Sequence, residues 1–158
     1  MKPSLIWALA LVVLLGTGCK KDDTKTDSGP SAKATLLTSK RWTLSDVTIQ
    51  KSGSAIIEHP YNDMEGCDKD NFLRFNADHS AVVDEGLQRC GPADPQTYSG
   101  SWELTANETR LLLTTPLYGT GVATNPDLVE LSASRMVLRG TLIDAGVVMT
   151  YVATMTGS

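Results

Sequence analysis

The chain has 158 residues, with 14 Lys and Arg against 18 Asp and Glu, a formal net charge of −4 and only 6% aromatic residues. This length fits one domain with a real core behind a leader segment. An acidic balance without a basic stripe lacks the electrostatic footprint that nucleic-acid binding requires, so DNA and RNA are excluded as partners.

The first element is a leader. Lys2 precedes an unbroken apolar run from Leu5 to Leu15, and Gly16-Thr17-Gly18 then places small residues directly before Cys19. The run is shorter than the roughly 20 residues a spanning helix needs, so it reads as a cleavable signal over residues 1–18. Apolar run, small residues and cysteine together resemble the lipobox of bacterial lipoproteins. That resemblance implies acylation of the Cys19 thiol and cleavage that leaves Cys19 at the new N-terminus. Gly16 stands where the family prefers leucine, and Leu15 sits one place further back. An ordinary secretory signal, with Cys19 in a disulfide, is the competing reading. Acyl chains contribute about 0.8 kcal/mol of membrane affinity per buried methylene, which makes the membrane the first expected partner. Lys20 after the cysteine is not the aspartate that resembles an inner-membrane retention signal, so the outer membrane is the expected location. Lys20-Lys21-Asp22-Asp23 also resembles a surface-export tag; surface and periplasmic faces both stay open.

Residues 19–33 hold the lipidated cysteine and a tether of Lys, Asp, Thr, Ser, Gly and Pro, a composition that cannot repay the entropy of ordering. The folded domain is expected over 34–158. Leu36-Leu37 predicts one or two helical turns leading into Lys40-Arg41-Trp42. Strand signals follow. Trp42 and Leu44 share one parity and Val47 and Ile49 the other, which predicts a bulge between them. Phe72 to Phe75, a turn over 76–80 and Ala81 to Val83 predict a hairpin. Tyr98, Gly100, Trp102 and Leu104 alternate with Ser99, Ser101, Glu103 and Thr105. Leu111 to Leu113, Leu128 to Leu131, Met136 to Leu142 and Val147 to Met155 complete about eight strands, with turns at Ala106-Asn107-Glu108, Ser132-Ala133-Ser134 and Asp144-Ala145-Gly146. This is an all-β pattern, and tight sequential turns favour an up-and-down antiparallel β-barrel whose closure removes exposed edges. Eight strands leave room for side chains alone or for one small ligand. Once Cys19 is lipidated, Cys67 and Cys90 remain as an even pair in an oxidising compartment, which favours a disulfide over free thiols or a metal pair.

Several of these stretches together resemble the lipocalin-like domain of lipid-anchored proteins in Gram-negative bacteria. They are Leu36-Leu37 through Lys40-Arg41-Trp42, Cys67-Asp68-Lys69-Asp70-Asn71 with Phe72 to Phe75, Cys90, Gly100-Ser101-Trp102 and the final apolar hairpins. The resemblance spans about residues 34–156. It implies a small meander barrel with a cysteine pair and, by analogy with true lipocalins, a hydrophobic pocket; it implies no activity.

Trp42, Phe75, Trp102, Met149 and Tyr151 fall on apolar parities, either as core or as the wall of an interior cup. A cup of that kind selects a small hydrophobic ligand, oriented by the Tyr151 hydroxyl or the Trp102 indole. The alternative is an envelope interaction module with a filled barrel, acting as accessory subunit or adhesin. Asp63, Glu65, Asp68, Asp70 and Asn71 offer oxygen atoms of the kind Ca²⁺ prefers, but the EF-hand spacing is absent and a solvated loop is the plainer reading. His59 and His79 are expected to be exposed, and neither sits in a zinc motif. No G-x-S-x-G, C-x-x-C or phosphate-cradling loop occurs, and Asp84-Glu85 would point to opposite faces of a strand. No catalytic residue, metal or cofactor is therefore assigned, and an enzyme is not expected. Asn107-Glu108-Thr109 matches a glycosylation sequon that reads here as a turn.

Overall fold

The one-sided alternation of the strands closes into a ring in the computed structural model, which describes residues 29–115 and 123–158. The leader, Cys19 and the tether as far as residue 28 lie outside the described residues. Helix α1 (Ala32–Thr38) leads into β1 (Arg41–Lys51), β2 (Ile57–Glu58), a 3-10 turn (Pro60–Asp63) and α2 (Gly66–Lys69). Then come β3 (Phe72–Phe75), β4 (Ser80–Asp84), β5 (Thr97–Thr105), β6 (Arg110–Thr114), β7 (Ala123–Thr124), β8 (Asp127–Leu131), β9 (Arg135–Asp144) and β10 (Val147–Gly157).

The ring runs β1-β3-β4-β5-β6-β8-β9-β10 and returns to β1, with β2 and β7 as short additions on β1 and β6. Every pairing is antiparallel. The chain is a closed eight-stranded antiparallel barrel. Its seam joins β1 to β10 from Trp42 opposite Gly157 to Lys51 opposite Met149. The parity change read in β1 is a bulge between Leu44 and Asp46, where the Ser45 hydroxyl donates to the Thr154 carbonyl (3.1 Å). The turn joining β9 to β10 has Ala145 and Gly146 at φ 47 and 80, the left-handed pair that matches the twist of a two-residue hairpin. β8 carries a second irregularity, between Leu128 and Glu130, that its short apolar run does not announce.

Helix α1 plugs one end of the ring. It starts at Ala32, ahead of the expected domain start at residue 34, because the Ser31 hydroxyl accepts from Ala34 N–H (3.1 Å) and caps the first turn. Leu37 has no solvent exposure, and its carbonyl accepts from the Trp42 indole N–H (3.0 Å). Lys33 Nζ donates to the Glu108 carbonyl (2.6 Å), fastening the helix to the β5–β6 turn. Above this plug Trp42, Leu73, Phe75, Leu111 and Met136 form the sealed centre of the core. Gly100 lets β5 and β6 approach closely: a Cβ there would overlap the Thr114 carbonyl. Among the described residues no helix is long and apolar enough to cross a membrane.

Candidate functional site

The five aromatic and Met side chains read as interior all face inward, but register places them at two different heights. Trp42, Phe75 and Trp102 belong to the plugged half. Phe75 meets Trp102 edge-on, with ring centroids 5.4 Å apart, and the Trp102 indole N–H donates to the Asn76 carbonyl (2.9 Å). Both indole donors are therefore engaged by backbone, and neither is free to orient a ligand. Met149 and Tyr151 stand on β10 in the other half, where the loops emerge. Met149 is buried and pairs across to Leu142 and Lys51; Tyr151 is half-buried and pairs across to Gly140 and Ile49.

Exposure changes along the interior. Next to the plug, Trp42, Phe75, Ala81, Leu111 and Met136 have none. Toward the loop end Val47, Ile49, Leu142 and Tyr151, which share the inward face of β1, β9 and β10, keep part of their surface. The barrel thus has a sealed half and, toward the loops, a stretch of apolar wall on β1, β9 and β10 that remains partly accessible, although Met149 and Val83 at that end are buried. Burial pushes the Tyr151 phenol up, so at neutral pH it is a neutral donor.

The loop end is held by a disulfide. Cys67 on α2 and Cys90 are bonded, with Cα atoms 5.2 Å apart, and the bond joins the segment after β2 to the segment after β4. Asp70 reinforces it: its Oδ2 accepts from Leu87 N–H (2.7 Å) and Gln88 N–H (3.1 Å). Asn71, with its amide nitrogen turned toward them, donates to the Cys67 and Glu85 carbonyls, both at 3.0 Å. Two of the acids and amides considered for calcium are thereby occupied in tying loops together. Among the described residues the side chains that converge as candidate metal ligands are Glu65, Cys67 and Cys90, and the disulfide uses both sulfurs.

Glu85, missed as special by sequence, is buried beside this junction. Burial first, and then the negative charges of Asp94, Asp68, Asp70 and Asp84, push its carboxyl above the ordinary 4.5. The folded state therefore holds that proton more tightly than the unfolded chain does. The sign follows: stability is lowered above the raised folded value and recovers as pH falls through it toward 4.5. Glu85→Gln is expected to raise Tm by about 2 °C at pH 7, with the difference vanishing near pH 4. Scanning calorimetry of both proteins across that range checks it; a difference that persists at acid pH would mean that packing, not charge, is responsible.

The histidines are separate and exposed. His59 lies 3.6 Å from Asp46 at the outer side of β1. His79 occupies the β3–β4 turn at φ 65 and stacks on Trp102 with centroids 5.2 Å apart. Asn107 sits in a turn where Ala106, Asn107 and Glu108 all have positive φ.

What fold and site define together is a closed eight-stranded antiparallel barrel, plugged by a helix at one end and cross-linked through its loops at the other, consistent with a lipocalin-like barrel. No protein family and no curated protein matches the chain.

Proposed function

We propose that this chain is a lipid-anchored protein of the outer membrane whose lipocalin-like barrel binds a small hydrophobic ligand through its loop end. The observation that carries the reading is the accessible apolar wall of Val47, Ile49, Leu142 and Tyr151 above a sealed half. An eight-stranded barrel has room for side chains alone or for one small ligand, and the accessible stretch of wall favours the ligand. The anchor rests on the leader and Cys19. The tether leads into α1, which lies at the plugged end and leaves the loop end free of the chain's entry.

One experiment addresses both parts. The full chain is extracted gently from membranes and its mass recorded intact and after separation of non-covalent components. The expected result is loss of residues 1–18, acyl mass on Cys19, and a reproducible hydrophobe that is lost in Ile49→Arg but kept in Ile57→Arg on the outside. An uncut leader, or clean protein from both variants and the parent, would refute the reading.

A second reading has its own observation. Ile56, Ile57, Leu87, Ile143, Val147 and Val148 are exposed large apolar residues, and all lie around the loop end, with Ile143 and Val148 paired across the last hairpin. Exposed apolar clusters of this kind mark interaction surfaces, which favours an envelope module docking a protein partner at the same end.

A further inference from the structure

The barrel wall parts where β9 runs on from Arg139 to Asp144 beyond its last pairing with β8. β7 and β8 continue one register against β6: Thr124 pairs with Leu113 and Asp127 with Arg110, and between them the Pro126 carbonyl accepts from Leu111 N–H (3.1 Å). Pro126 has no N–H to donate. β9 pairs with β8 only as far as Arg139 opposite Asp127. A cleft of about 300 Å³ opens there, reaching from Arg110 on one side to Thr141 and Thr150 on the other.

Three strands bring three charges into one row across its rim. Arg110, Asp127 and Arg139 are successive register partners on β6, β8 and β9. Arg110 Nε lies 3.2 Å from Asp127 Oδ1, so that carboxylate already has a guanidinium. None of the ion pairs among the described residues uses Arg139. The row carries one cation in excess. Beside Arg139, Gly140 admits the tip of Tyr151: a Cβ at that position would collide with the Tyr151 ring and hydroxyl. Tyr151 also lines the cleft, together with the Asn125 amide and the two threonines, and its hydroxyl makes no hydrogen bond among the described residues.

We infer that this cleft is a binding site for a small hydroxylated oxyanion, in chemistry a sugar acid or a sugar phosphate. A guanidinium presents a planar fork of donors that matches a carboxylate or phosphate through two parallel bonds. Arg139 supplies that fork, Tyr151 is a neutral donor beside it, and the amide and threonine hydroxyls face the ligand's own hydroxyls. A purely apolar molecule would leave these donors dry and unpaired, which costs free energy. Tyr151 is shared with the apolar wall of the proposed function, whereas the exposed Arg139 lies outside that wall, so Arg139→Gln tests this site alone.

Isothermal titration of the purified full chain with glucuronate, glucose 6-phosphate and glucose tests it. The expected result is that at least one acid binds ten-fold or more tightly than glucose, and the preferred acid tells carboxylate from phosphate. Arg139→Gln, on an exposed side chain, should weaken that binding at least ten-fold. Tyr151→Phe, which keeps the ring on Gly140, should weaken it several-fold, and Arg74→Gln elsewhere on the barrel should leave it unchanged. Failure of both acids to bind, equal binding of glucose, or an indifferent Arg139→Gln would overturn the assignment.

Discussion

Trp42→Ala is expected to destabilise the protein by about 4 kcal/mol, the range found when large aromatic residues are removed from a core. The side chain has no exposure, and it touches both layers that close the plugged end: the helix through its indole N–H on the Leu37 carbonyl and the seam through Gly157. Truncation leaves a cavity and also leaves a buried carbonyl without its donor, which by itself costs on the order of 1 kcal/mol or more. Trp42→Phe separates the two terms, since it keeps most of the volume and removes only the donor. Urea unfolding followed by far-ultraviolet circular dichroism measures both variants. A whole domain is held by only about 5–15 kcal/mol, so the alanine variant should unfold at a much lower urea midpoint with an unchanged slope. A midpoint shift no larger than that of the phenylalanine variant would show that the plug is not held through this ring.

Replacing Cys67 and Cys90 together by serine is expected to cost about 3 kcal/mol on the loop-entropy account of cross-links. The bond spans 23 residues of sequence separation and joins two segments with little secondary structure. The loss should be uneven in space. The ring itself, including its seam, does not run through the disulfide, so strand content should survive while the 59–71 and 85–96 segments open. Limited proteolysis with and without reductant checks this: cleavage should appear first in those two segments. Cuts that begin within β3 or β4 instead would mean that the bond holds the barrel and not its rim.

Strand existence was legible because each strand buries one face. Tyr98 to Thr105 alternates so cleanly that its inner row could be named directly, and the change of parity between Leu44 and Val47 marked the bulge. The turn at Asp144-Ala145-Gly146 was readable for a similar local reason, glycine beside short residues flanked by apolar runs, though its left-handed backbone was not read. Height within the barrel was not readable. Parity says that Trp42 and Tyr151 both face inward, yet only register shows that one is sealed against the helix and the other stands toward the loops. The Arg110–Asp127–Arg139 row was invisible for the same cause. It is assembled from three strands far apart in sequence, and each residue alone resembles an ordinary solvated charge. Glu85 continues the inward parity of Ala81 and Val83 past the end of β4, and it escaped because a carboxylate at that step reads as the solvated start of a loop. The one local sign of the cleft is Gly140, a missing side chain in an otherwise regular strand.

The seam between β1 and β10 has a mechanical consequence. A pull entering at residue 29 and resisted at the loop end would load β1 along its length, past a neighbour paired with it almost throughout. Antiparallel ladder bonds lie perpendicular to the strands, so such a load shears them in concert and cannot peel them one at a time. Tension delivered that way meets the barrel along its toughest direction.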